Sequence, residues 1–286
     1  MIIEVPYFKY ASQYKLWEIR NRRLVDKYNL KLKVYDGLPG SPWNGGRLPL
    51  GTSIPEHCPV SFALTNHTVD DLHHKESHEL LKKFHSPDNT IIISNLELLD
   101  HLQKLYPNYK WIYSITAYDI SNGFDGYDEI EKRVDWIVPR NEIIDHTEEL
   151  YKRNTKQYIL LFSFECSGCP LYNEHYKVIG EIVKEDDKTR NHLYACWFKN
   201  RKLLTEVGYT EDIYSDYTYY TQKKFMHKLL EIDHRILAGY KVGRNSQKFE
   251  KIELELKKSI DDENLKNYKT LLKIKLCTLF KIYITL

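Results

Sequence analysis

Short runs of almost wholly apolar residues recur along this chain, each followed by a stretch with helical spacing, and that rhythm limits the fold more than any other feature. The runs are residues 32–35, 59–65 (PVSFALT), 90–94 (TIIIS), 110–116 (KWIYSIT), 136–138, 158–164 (YILLFSF) and 240–242. A strand with one wet face alternates apolar and polar residues. A strand buried on both faces does not, and parallel strands covered by helices are of that kind. Helical patterns follow at 69–84, at 96–105 with Pro107 behind it, from 127, at 147–153 and at 218–237. The unit of strand, loop and helix repeats about every 25–30 residues, the length of a βα unit.

For 286 residues, the size match is a parallel (β/α) barrel of the TIM type, complete or lacking a unit. A doubly wound open sheet is the rival, but no glycine-rich dinucleotide fingerprint or phosphate loop follows any run. The reading is one barrel domain over residues 1–245. A helix at 13–28 precedes the first strand, and a helical extension fills 246–286. Hydrophobic residues at 42% and charged residues at 29% can build a core of that size. Lys+Arg of 42 against Asp+Glu of 40 leaves no basic excess for a dedicated nucleic-acid binder. There is no apolar run long enough for a transmembrane helix, and the first residues lack a signal-peptide pattern. A cytoplasmic location is the expectation. The end, LLKIKLCTLFKIYITL, reads as an element packed on the barrel, or as a membrane-surface or partner contact.

In such barrels the chemistry gathers where the strands end, because the βα loops converge there. The strand ends read Tyr35-Asp36-Gly37 with Asn44-Gly-Gly-Arg47 beyond, then Thr65-Asn66-His67, Asn95, Ser114 with Thr116 and Asp119, Arg140-Asn141, Glu165-Cys166 and Gly243-Arg244. Asn66, Asn95 and Asn141 each follow a run directly. Carboxamides both donate and accept, so together they suit a hydroxyl-rich substrate; each could instead cap the next helix. Arg47 and Arg244 could hold a carboxylate or phosphate through a guanidinium fork. His73, His74 and His78 lie on one helical stretch. His74 and His78 have the spacing for a shared zinc ion, against the plainer reading of a solvated face.

The strongest local pattern is Glu165-Cys166-Ser-Gly-Cys169-Pro170, followed by His175, His192 and Cys196. Five cysteines in a reducing compartment do not form a disulfide framework, and a close pair there reads as a metal or redox motif. Three thiolates could hold an iron–sulfur cluster with one iron left open. Zinc with His175 or His192 as fourth ligand is the alternative, and unmetallated thiols the third. For a cluster, the remaining position falls to His175, Glu165, substrate or solvent. Cys58 stands before the second run, about 20 Å from the strand ends at ~3.3 Å per residue, and is set aside as a ligand.

Cys166-Ser-Gly-Cys169-Pro170 with His175-Tyr176, the later Cys196 and the ending Ile236-Leu-Ala-Gly-Tyr-Lys-Val-Gly-Arg244 resemble the collagenase-like peptidase family, which includes oxygen-independent hydroxylation proteins. The resemblance covers roughly residues 32–244. It implies a TIM-type barrel with a cysteine-held iron–sulfur cluster, of the 4Fe–4S kind. The family pattern differs in the spacing of its pair and in having a fourth nearby cysteine. Val34-Tyr-Asp-Gly followed by Asn44-Gly-Gly-Arg47 also looks like a related group found with surface-polysaccharide genes.

The leading expectation is an iron–sulfur enzyme acting on a polar or sugar-like small molecule by oxidation, hydroxylation or dehydration. Cys166, Cys169 and Cys196 hold the metal. Glu165 or His175 moves the proton. Arg47, Asn66, Asn95, Asn141 and Arg244 orient the substrate. A redox version would need a redox partner. The alternatives are a zinc-dependent hydrolase or peptidase with Glu165 as base, and a non-catalytic barrel whose metal staples loops for a partner subunit.

Overall fold

The computed structural model describes residues 1–6, 26, 29, 31–45, 58–117, 124, 126–153, 155–162, 232–233 and 236–242. Among the described residues eight strands appear: β1 (Ile2–Pro6), β2 (Lys31–Asp36), β3 (Val60–Leu64), β4 (Thr90–Ile93), β5 (Lys110–Tyr113), β6 (Trp136–Ile137), β7 (Ile159–Phe162) and β8 (Gly239–Val242). All pairings are parallel, and the sheet order is β6-β5-β4-β3-β2-β1-β8-β7. A parallel bridge between Ile137 and Tyr158 joins the two ends of that order. Each strand therefore neighbours the next in sequence and β8 returns to β1, which is the TIM-type barrel. An open doubly wound sheet would instead reverse its strand order part-way.

Of the two forms expected, complete or lacking a unit, β1 supplies the strand that completes the ring. Its run, IIEVP, lies ahead of the expected N-terminal helix, so residues 13–28 belong to the connection from β1 to β2 rather than preceding the ring. Those residues apart from Asp26, most of 218–237 and the extension at 246–286 lie outside the described residues.

Four α-helices are described: α1 (Lys75–Lys83), α2 (Leu96–Leu105), α3 (Tyr127–Glu131) and α4 (Thr147–Lys152). α2 begins where the Asn95 carboxamide accepts the Leu98 amide at 2.8 Å, with Glu97 in the first turn and Lys104 in the last. Its buried face is Leu98, Leu99 and Leu102, one stripe at helical spacing. α1 starts later than expected. Residues 69–74 form turns, and the His74 ring caps the helix by accepting from the Ser77 amide. No described helix is long and apolar enough to cross a membrane.

Successive strand residues face opposite sides, and the core divides accordingly. Ile3, Val5, Leu32, Val34, Phe62, Leu64, Ile91 and Ile93 pack outward with α1 and α2. Tyr35, Ala63, Ile92, Ile112, Val138 and Ile159 form the second cluster, inside the ring. Barrel interiors are normally filled by such branched apolar side chains. This interior also holds buried Glu4, Lys33, Ser61, Thr90 and Lys241.

Candidate functional site

Glu4 sits at the centre of β1, in register with Lys33 of β2 on one side and Lys241 of β8 on the other. Its side chain has no solvent exposure, and Lys241 is 3% exposed. Both carboxylate oxygens are taken. Ser61 Oγ donates to Oε1 at 2.5 Å, and Lys241 Nζ donates to Oε2 at 2.7 Å. The Lys241 ammonium also lies 3.7 Å from the centre of the Tyr35 ring, whose face attracts a cation. A buried charge pair is tolerated when geometry and extra hydrogen bonds are as complete as this.

Lys33 lies on the same inner face. Its Nζ donates to the hydroxyl of Thr90, the first residue of β4, and lies 5.5 Å from the centre of the Trp136 ring. Burial pushes its pKa from 10.5 down to about 8, and the nearby carboxylate of Glu4 offsets part of that fall. Thr90, Lys33, Glu4, Ser61, Lys241 and Tyr35 thus make up one polar inner column. It contains two amines for one carboxylate.

Above the column, polar groups crowd the carboxyl ends of the strands. Past β2, the Asp36 carboxylate accepts the Gly37 amide at 2.8 Å. The Asn44 side chain closes the following loop by accepting from the Leu38 amide and donating to the Leu38 carbonyl. Gly45 has φ of 59°, and a Cβ there would overlap the Thr65 carbonyl and the Asn66 amide. This close approach lets the loop lie on the end of β3, where the Asn66 amide bonds the Trp43 carbonyl at 2.8 Å. At the ends of β4 and β5, the Thr116 hydroxyl lies 2.6 Å from Ser94 Oγ and 2.9 Å from Ser114 Oγ. Buried Arg140 follows β6, its amide donating to the Tyr127 hydroxyl at 3.2 Å.

Asn66 and Asn95 lie on the same end of the barrel, on adjacent strands, and both carboxamides are engaged. Asn66 donates to the Pro42 carbonyl at 2.9 Å and accepts from the Thr68 amide. Asn95 donates to the His67 carbonyl at 2.9 Å and caps α2. They hold the mouth loops together. Asn141 opens the 3-10 helix Asn141–His146 just past β6, at the same end. Arg47, Glu165, Cys166, Cys169, His175, Cys196 and Arg244 lie outside the described residues. β7 and β8, which lead toward Glu165 and Arg244, end at this mouth. Cys58 is buried just ahead of β3, at the opposite end.

Glu4, Lys33 and Lys241 escaped the sequence reading. A signal was present: one charge set between apolar neighbours in IIEVP, KLKVYD and GYKV. In a strand buried on both faces, such a residue must face the barrel interior or the helices.

No family model, no curated protein and no solved structure matches this chain.

Proposed function

We propose that the protein is an enzyme that binds a polar, anionic small molecule, a sugar acid or sugar phosphate by chemistry, at the carboxyl-end mouth of its barrel. The observation that supports this most is the charged interior beneath that mouth. Packing alone favours apolar side chains there, and buried charges in a cleft-bearing fold are a recurring mark of functional sites. Among the described buried residues, Lys33, Lys241 and Arg140 outnumber Glu4 and Asp36, a balance that favours an anion. Hydroxyls of Ser94, Ser114 and Thr116 supply donors and acceptors for a hydroxylated ligand.

In this reading Cys166, Cys169 and Cys196 hold an iron–sulfur cluster beside the same mouth, and Glu165 or His175 moves a proton. The resemblance to the collagenase-like peptidase family and the Cys-Ser-Gly-Cys spacing support that part. Such a cluster would supply electron transfer or Lewis acidity to the bound substrate.

A thermal-shift panel tests the reading. It would compare uronic acids, sugar phosphates and nucleotide sugars with their neutral counterparts. An anionic member should raise Tm, and Lys241→Met should abolish that rise. A panel in which no anion acts, or in which neutral sugars act equally well, would refute it.

A further inference from the structure

On the outer helical ring, away from the inner column, three histidines converge. His78 is on α1, His101 on the neighbouring α2, and His73 two residues ahead of α1. One ring nitrogen of each lies within 4.8 Å of the other two. The His73 and His101 rings meet edge to face at 4.8 Å between centroids, and those of His78 and His101 at 5.5 Å. His101 Nε2 is shut off from solvent and has no hydrogen-bond partner among the described residues. Buried ring nitrogens are normally partnered, so this one calls for a donor or a cation.

We propose that His73, His78 and His101 form a binding site for a divalent transition-metal ion, zinc being the natural occupant. Three imidazoles suit zinc, and nickel or copper would bind the same set. Metal–nitrogen bonds of about 2.0–2.1 Å require the nitrogens to close to roughly 3.4 Å of one another. The exposed ring of His73, carried on a turn, has the freedom to make that closure. The Asp71 carboxylate already fixes its backbone by accepting the His73 amide at 2.8 Å.

His78 shows how the second sphere would work. Its Nε2 lies 2.9 Å from the Leu72 carbonyl, which can only accept. The neutral ring therefore carries its proton on Nε2 and its lone pair on Nδ1, facing the Tyr106 hydroxyl at 2.9 Å. That hydroxyl also reaches the His78 carbonyl at 3.1 Å, and the Tyr106 side chain must swing off Nδ1 for a metal to take that nitrogen. A ligating histidine that gives its other N–H to a backbone carbonyl is the usual arrangement. A bound ion would clamp the turn after β3 to α2. Asn95, at the head of α2, already holds that turn through the His67 carbonyl.

Cobalt(II) titration of the full chain tests this, because its spectrum separates nitrogen from thiolate ligands. The site predicts one equivalent with weak visible bands free of thiolate charge transfer, distinct from any equivalent held by the cysteines, and a rise in Tm. His73→Gln and His101→Gln should each weaken that equivalent by about 100-fold or more, whereas Cys169→Ser should alter only thiolate-bound cobalt and leave the nitrogen-type bands in place. Should a variant fail to fold by circular dichroism, the wild-type spectrum still decides. No nitrogen-type equivalent in the wild type overturns the proposal, and so does one that survives both histidine substitutions in folded protein.

Discussion

Glu4 holds Ser61 and Lys241, both distant from it in sequence, and its removal would leave Lys241 as an uncompensated buried charge. Glu4→Gln should cost about 3–5 kcal/mol in urea unfolding. Glu4→Leu combined with Lys241→Met should recover most of that loss, because a matched apolar pair has no charge to desolvate. A double variant as unstable as the single one would contradict the ion-pair account. Lys33 gives a pH signature. Its folded pKa, about 8, is below the unfolded value near 10.5, so between those values the unfolded chain binds more protons. Stability should therefore rise from pH 8 toward pH 10, by about 2–3 kcal/mol for a shift of this size. Above pH 10 the sign reverses. Burial raises the phenols of Tyr109 and Tyr158, with Tyr106 and the Glu131 bond adding respectively, so the unfolded chain loses those protons first. Lys33→Met should remove the rise below pH 10 and keep the fall above it. An unchanged rise in urea midpoints would show that Lys33 is not its source.

At the scale of elements, the helices are tied to the ring by a few polar nodes. Arg153, just past α4, reaches Asp128 at 2.7 Å, Glu131 at 3.0 Å and Glu149 at 2.9 Å, and covers the Phe124 ring at 4.5 Å. Glu131 in turn accepts from the Tyr158 hydroxyl, at the point where the barrel closes. Arg153→Met keeps the packing over Phe124 and leaves the three carboxylates facing one another. It should lower stability by about 2 kcal/mol, most of it from half-buried Glu131 rather than from the exposed Asp128 and Glu149. Measured equality with wild type would mean that the node is only a surface contact. Asn95→Ala removes both the α2 cap and the tie to His67, and should cost about 1–2 kcal/mol. Asn95→Asp keeps the cap and loses only the donated bond, so it should fall between the two. A variant ranking that reverses this order would point to a different role for Asn95.

For the whole molecule, the parallel barrel was legible because β3, β4, β5 and β7 are buried on both faces and so read as continuous apolar runs. β1 was not legible: Glu4 interrupts a five-residue run, and only the pairing with β2 and β8 shows that its charge points inward. The same reason hid Lys33 and Lys241. The partners Glu4 and Lys241 are 237 residues apart, and no local pattern links them. Strand-end placement of Asn66 and Asn95 was legible from the runs, but their engagement with the Pro42 and His67 carbonyls depends on how neighbouring loops meet. His101 sits within a regular amphipathic helix, and nothing in its own sequence pairs it with His73. The anion-binding mouth is the claim on which the functional account rests. The most direct measurement is a crystal structure of the full chain with whichever anionic sugar raises Tm most. The account predicts the ligand at the carboxyl ends of the strands, above Tyr35 and Lys241; density at the strand starts, or only on the outer helices, would contradict it.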